Sequence, residues 1–158
     1  MKKVTAKDLK INLKSGKDSE LFKWFIASIL FGKPIQQEVA KRTYFEFERA
    51  GILDLKNILN AGWDRLVEIL DRGHYVRYDF STADRLIGIC RELKEKYGSI
   101  AKLVKSSKNK RDLEKRLVEF KGIGPVTARI FLREIIRNTP RTKGRDFWCS
   151  CHAKKKTG

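Results

Sequence analysis

Apolar residues recur along this chain at helical rather than strand spacing. The densest run, residues 20–31 (ELFKWFIASILF), is strongly apolar and predicts a central, buried helix. Gly32 ends it. Pro34, suited to a first helical turn, is expected to open the next helix, which reaches about Ala50 with Val39, Thr43, Phe45, Phe47 and Ala50 as its apolar stripe. Asp54 reads as the N-cap of a helix over 55–60, and Gly62-Trp63 leads into another over 64–70. Asp71-Arg72-Gly73 stops that one, and residues 74–80 (HYVRYDF) read as a loop rich in aromatics. Ser81 is expected to cap a helix from Thr82 to about Tyr97, with Leu86, Ile87, Ile89, Cys90 and Leu93 facing inward. Gly98-Ser99 breaks it ahead of a short helical turn over 100–104. A polar, basic linker follows, and then two helices over 112–120 and 126–138. With a short helix near 5–14, three prolines, no internal repeat and little strand-like alternation, the expected fold class is all-α.

The join between the last two helices is the most informative stretch: Lys121-Gly122-Ile123-Gly124-Pro125-Val126-Thr127-Ala128-Arg129. Two glycines around one apolar residue permit a sharp turn through φ > 0, which a side chain with a Cβ resists. Pro125 fits the first turn of the following helix, where its missing N–H costs nothing. The free N–H groups of such a turn and helix start can hold a phosphate oxygen, and Lys121 and Arg129 add positive charge.

Charge strengthens that reading. The 158 residues carry 36 Lys/Arg against 19 Asp/Glu, a formal net charge of +17. Residues 101–158 hold 17 of the basic residues and 5 of the acids, a net of +12, which leaves +5 for residues 1–100. A basic half joined to a nearly balanced half predicts a polyanion-binding face. No run of 18 apolar residues predicts a membrane span, the N-terminus has no apolar signal region, and three cysteines argue for a reducing, cytoplasmic setting (nucleoid-associated in a prokaryote).

The hairpin and the order of segments before it resemble the helix-hairpin-helix DNA glycosylase superfamily, to which endonuclease III and the 3-methyladenine DNA glycosylases belong. The likeness covers roughly residues 20–146 and is most specific at Gly-Ile-Gly-Pro-x-Thr-Ala. It implies an orthogonal helical array with a substrate cleft between two lobes. Residues 1–19 would belong to the terminal lobe, residues 20–138 form the helical domain ending in the helix-hairpin-helix (110–138), and 139–158 form a basic C-terminal segment. Only 12 residues follow Asp146, so the second lobe is expected to be reduced or incomplete.

The resemblance also implies an activity: extrusion and hydrolytic removal of a damaged or mismatched base from double-stranded DNA, in base excision repair. Bifunctional members carry a lysine just before the threonine of the motif; Val126 stands there, which implies a monofunctional enzyme without lyase chemistry. Asp146 lies about where the family carboxylate directs water, the other reading being a pairing with Lys143 or Arg145. Lys33 and His74 match the places of the wedge that fills the hole left by an extruded base, with Gln36 and Gln37 as near alternatives. His74 is equally readable as an ordinary exposed loop histidine. Tyr75 and Tyr78 are candidates to line a base pocket, and Asp79 is a second candidate acid. Duplex contacts are expected from Lys121, Gly122, Ile123, Gly124, Val126, Thr127 and Arg129.

No metal or other cofactor is expected. Cys149-Ser150-Cys151-His152 lacks a second ligand pair for structural zinc, and the four-cysteine iron–sulfur pattern of endonuclease III-type members is absent. A monomer is favoured. The alternative to the enzyme is a non-catalytic helix-hairpin-helix DNA-binding protein with an incomplete cleft.

Overall fold

A computed structural model describes residues 3–138, and every regular element among them is helical. Eight α-helices run in the order α1 (Asp18–Phe31), α2 (Gln37–Arg49), α3 (Leu55–Ala61), α4 (Trp63–Arg72), α5 (Asp79–Lys96), α6 (Ile100–Ser106), α7 (Lys110–Val118) and α8 (Pro125–Asn138). One contiguous cluster of buried apolar side chains extends from Ala6 to Ile135.

The 20–31 run does form the central helix. From Leu21 to Leu30 every residue of α1 except Lys23 is buried, so the helix is enclosed by its neighbours rather than amphipathic. It packs on α2, α5, α6 and α8. Trp24 Nε1 donates to the Phe131 carbonyl at 3.3 Å, and the Phe25 ring meets Phe131 nearly edge-on at 5.6 Å. These contacts tie α1 to the helix that follows the glycine hairpin.

Three expectations are corrected. The segment near 5–14 forms two 3-10 turns, Lys7–Leu9 and Leu13–Ser15, because the chain turns left-handed at Lys10 (φ 61°) and Gly16 (φ 70°). The Ala6 N–H donates to the buried Glu134 carboxylate at 2.9 Å, and Arg133 Nη2 donates to the Val4 carbonyl at 2.8 Å, so this segment is fastened to α8. Second, α2 starts at Gln37 rather than at Pro34, since Lys33–Ile35 forms a tight turn in which the Ile35 N–H donates to the Lys33 carbonyl at 2.7 Å. Its buried residues are Ala40, Thr43, Tyr44 and Phe47, a single i, i+3, i+4, i+7 face, which the proposed stripe through Val39 and Phe45 was not. Third, α5 begins at Asp79, not Thr82: a 3-10 turn over Val76–Tyr78 runs straight into it, and the Ser81 hydroxyl donates to the Tyr78 carbonyl instead of capping.

Capping is as expected at Asp54, whose carboxylate accepts from the Asn57 N–H at 2.7 Å. Asn109 does the same for α7, its Oδ1 accepting from the Asp112 N–H at 2.9 Å. Asp112 in turn accepts from the Lys108 N–H at 2.8 Å and from Arg116 Nε at 3.1 Å, and these contacts, the backbone one foremost, hold its carboxyl below the usual carboxylate range. The first helix of the hairpin unit is thus fixed at its start by the chain just before it.

Candidate nucleic-acid interface

Between α7 and α8 the chain turns through Glu119–Gly124. Ile123 is buried at 4% exposure and anchors the turn in the core, while Lys121, Gly122, Gly124, Pro125 and Val126 are exposed. Gly122 takes φ 104°, a conformation open to glycine but strained for any residue with a Cβ. The Ile123 N–H donates back to the Phe120 carbonyl at 3.1 Å, but the Gly122 and Gly124 N–H groups find no backbone acceptor among the described residues. Two exposed amides, the free first turn of α8 and the exposed cations Lys121 and Arg129 thus fall within the single stretch 121–129.

Two close approaches lock other elements against the ends of this hairpin. A Cβ at Gly32, just past the end of α1, would collide with Thr127 Oγ1, and Thr127 is itself buried at the start of α8. At the other end, a Cβ on Gly122 would lie 2.6 Å from Arg85 Cγ, so the Arg85 stem on α5 packs directly over the glycine. Lys33 follows Gly32 and lies with its ammonium 5.0 Å from the centre of the Tyr78 ring; Arg77 approaches the same ring at 5.6 Å. Burial first, and the Arg85 guanidinium second, hold the Lys33 ammonium below the usual lysine range. The structure thus sets Gly32 and Arg85 against the hairpin residues Thr127 and Gly122, with Lys33 next to Gly32 in the chain and resting on Tyr78.

The two tyrosines part company. Tyr75 is fully buried and its hydroxyl donates to the Leu30 carbonyl at the end of α1. With no exposed ring face it cannot stack on a base in this structure, and its assignment to a base pocket is corrected: it fixes the helix end that carries Gly32 and Lys33. Burial pushes its phenol well above the ordinary range. Tyr78 is partly exposed and engaged by cations. His74 is exposed and left-handed (φ 68°), its N–H donating to the Asp71 carbonyl at 3.0 Å. Asp79 opens α5 with its Oδ1 accepting from the Phe80 N–H at 2.7 Å. It also faces Asp71, whose carboxyl is raised above the usual range by a hydrogen bond to Asp79.

Beside the hairpin lies a cavity of about 480 Å³. Phe31, Val126 and Ile130 supply apolar walls, and Gln37, Arg129 and Arg133 supply hydrogen-bond donors. Its size falls within the roughly 300–1,000 Å³ of small-molecule sites. Val126, 57% exposed, presents an isopropyl group to it.

Asp146, together with Cys149, Cys151 and His152, lies outside the described residues. Among those described, no three His, Cys, Asp or Glu side chains gather as metal ligands, and no helix is long and apolar enough to cross a membrane. Cys90 is buried, as its helical position implies, and burial pushes its thiol up to about 12. Sequence reasoning missed Arg85 and the structural need for Gly32. Neither has a local signature, since each matters through a contact distant in sequence. A comparison with family models, curated proteins and solved structures gave no match to this chain.

Proposed function

We propose that this chain binds duplex DNA through its 121–129 hairpin and acts as a monofunctional DNA glycosylase of base excision repair, built on a helix-hairpin-helix glycosylase-like helical array. The observation that carries the reading is the hairpin. Its Gly122 and Gly124 amides are exposed without backbone acceptors, one of them at φ 104°, and Lys121 and Arg129 flank them. Backbone donors with adjacent cations and no side chain in the way suit a phosphodiester oxygen.

The cavity beside Val126 supports the enzymatic half of the proposal. An extruded base enters between Phe31 and Ile130; its C1′–N bond breaks, and the base departs with the bonding electron pair and takes up a proton. Water then adds to the cationic C1′ of the sugar and gives up a proton to the carboxylate that directs it. Asp146 is the carboxylate assigned to direct that water and to stabilise the cationic sugar. Val126 supplies no amine, so no Schiff base forms and the strand stays intact at the abasic site. A second reading, a non-catalytic DNA-binding protein, is favoured by one observation: among the described residues no carboxylate lines the cavity.

Incubation with duplexes carrying alkylated, deaminated, oxidised or mismatched bases tests the enzyme. The expected product is an abasic site cleaved only after alkali or heat, and Asp146→Asn should abolish its formation while duplex affinity stays within about twofold. Absence of abasic sites across the panel would leave only the binding protein, and full activity in Asp146→Asn would remove Asp146 from the mechanism.

A further inference from the structure

Lys33 and Arg85 reach the hairpin from opposite ends. Gly32 sits against Thr127 and so delivers Lys33 to the start of α8, while the Arg85 stem lies across Gly122. Both side chains are half-buried, and neither has an ion pair or hydrogen bond among the described residues. Two like charges, each partly withdrawn from water, would ordinarily swing apart on their flexible stems. Here the stems are held: Arg85 is pinned by the glycine beneath it, and the Lys33 ammonium rests on the Tyr78 ring. Arg85 is therefore held beside Gly122, and Lys33, which follows the Gly32 that sits against Thr127, is held on the Tyr78 ring.

We propose that Lys33 and Arg85 form a two-sided clamp on a single backbone phosphate of the bound strand, adjacent to the phosphate taken by the hairpin amides. The ligand is a phosphodiester, whose one negative charge is shared by the two cations. The arginine fork donates to its two non-bridging oxygens and the lysine approaches as a point charge. Arg85 becomes a DNA-binding residue carried by α5, a helix outside the hairpin unit. Gly122 gains a second role as the seat of that arginine. The clamp rests on the proposed duplex binding, and its failure is separable from the failure of that reading.

The test uses the full chain, a labelled duplex and fluorescence anisotropy across a salt series, with wild type, Lys33→Gln, Arg85→Gln and the double variant. Each phosphate contact contributes about 0.9 to the slope of log affinity against log salt. The double variant should lose about 0.9, one phosphate, and the two single losses in affinity should be non-additive because they share a ligand. A slope loss of about 1.8 would mean two separate phosphates, and no loss would mean no phosphate at all; either overturns the clamp. Gly124→Asp, measured alongside, reports the hairpin independently. If it weakens binding while the double variant matches wild type, the clamp alone is wrong. If the wild-type chain shows no salt-dependent duplex binding, the DNA-binding reading falls and the clamp falls with it.

A second measurement alters the DNA instead of adding further protein variants. Duplexes carrying single uncharged methylphosphonate linkages are scanned against the wild type and the double variant. One linkage should weaken the wild type and leave the double variant unaffected, and the absence of any such linkage would overturn the clamp.

Discussion

The chain turns sharply beside glycines at Gly73-His74 and again at Gly122–Gly124, and the two turns use glycine for different properties. At the first, Gly73 has an ordinary φ of −82° and is needed for its missing Cβ, which would collide with the Thr43 side chain and lie 2.5 Å from the Thr43 Cα on α2. The positive φ falls instead on its neighbour His74, at 68°. At the second, Gly122 combines both needs, a φ of 104° and a side chain packed over it, and Gly124 is free of both, with open space around it. One turn therefore stores strain in an exposed histidine, and the other is relaxed and presents bare backbone. Strain retained at an exposed residue often marks a functional position. Relaxed, bare backbone is what a phosphate contact requires.

This contrast can be broken residue by residue. The largest effect is expected at Gly73→Ala. The intruding methyl meets the Thr43 backbone as well as its side chain, so turning the side chain away cannot relieve it, and the loss should reach about 3 kcal/mol, a fall in Tm of roughly 6–12 °C for a chain of this size. Gly122→Ala comes next. It meets only the stem of Arg85, but its φ is unsuited to alanine, which predicts a loss of about 1–2 kcal/mol by thermal or denaturant unfolding. Smallest is His74→Gly. Relief of about 1–2 kcal/mol of left-handed strain is offset by about 0.5–1 kcal/mol of added unfolded-state freedom, so stability should rise slightly or hold. A clear fall in Tm for His74→Gly would show that the imidazole makes a stabilising contact and would dissolve the contrast.

The same residues show what could be read before folding. The buried α1 helix was legible because an apolar run leaves no solvent face, and the Asp54 cap was legible because capping is local. The glycine hairpin was legible for the same local reason. Pro34 misled, because the turn from Lys33 to Ile35 competes with a helix start and only packing decides between them. Tyr75 misled differently. Its loop position suggested an exposed aromatic, but the Leu30 carbonyl at the end of α1 gives its hydroxyl a buried partner. Arg85 and Gly32 were invisible because their importance lies in contacts 37 and 95 residues away in sequence, with Gly122 and Thr127.

Duplex binding by this chain depends most on bare hairpin backbone holding a phosphate, and Gly124→Asp is the sharpest test of it. Gly124 has open space around it and no positive φ, so the substitution should leave Tm within about 1 °C, an ordinary surface change. A carboxylate at that spot would repel the phosphate. Duplex affinity by anisotropy at moderate salt should therefore fall by about tenfold, a difference of about 1.4 kcal/mol, with a shallower salt slope. A folded Gly124→Asp chain that binds duplex DNA as tightly as the wild type, with the same salt slope, would contradict it.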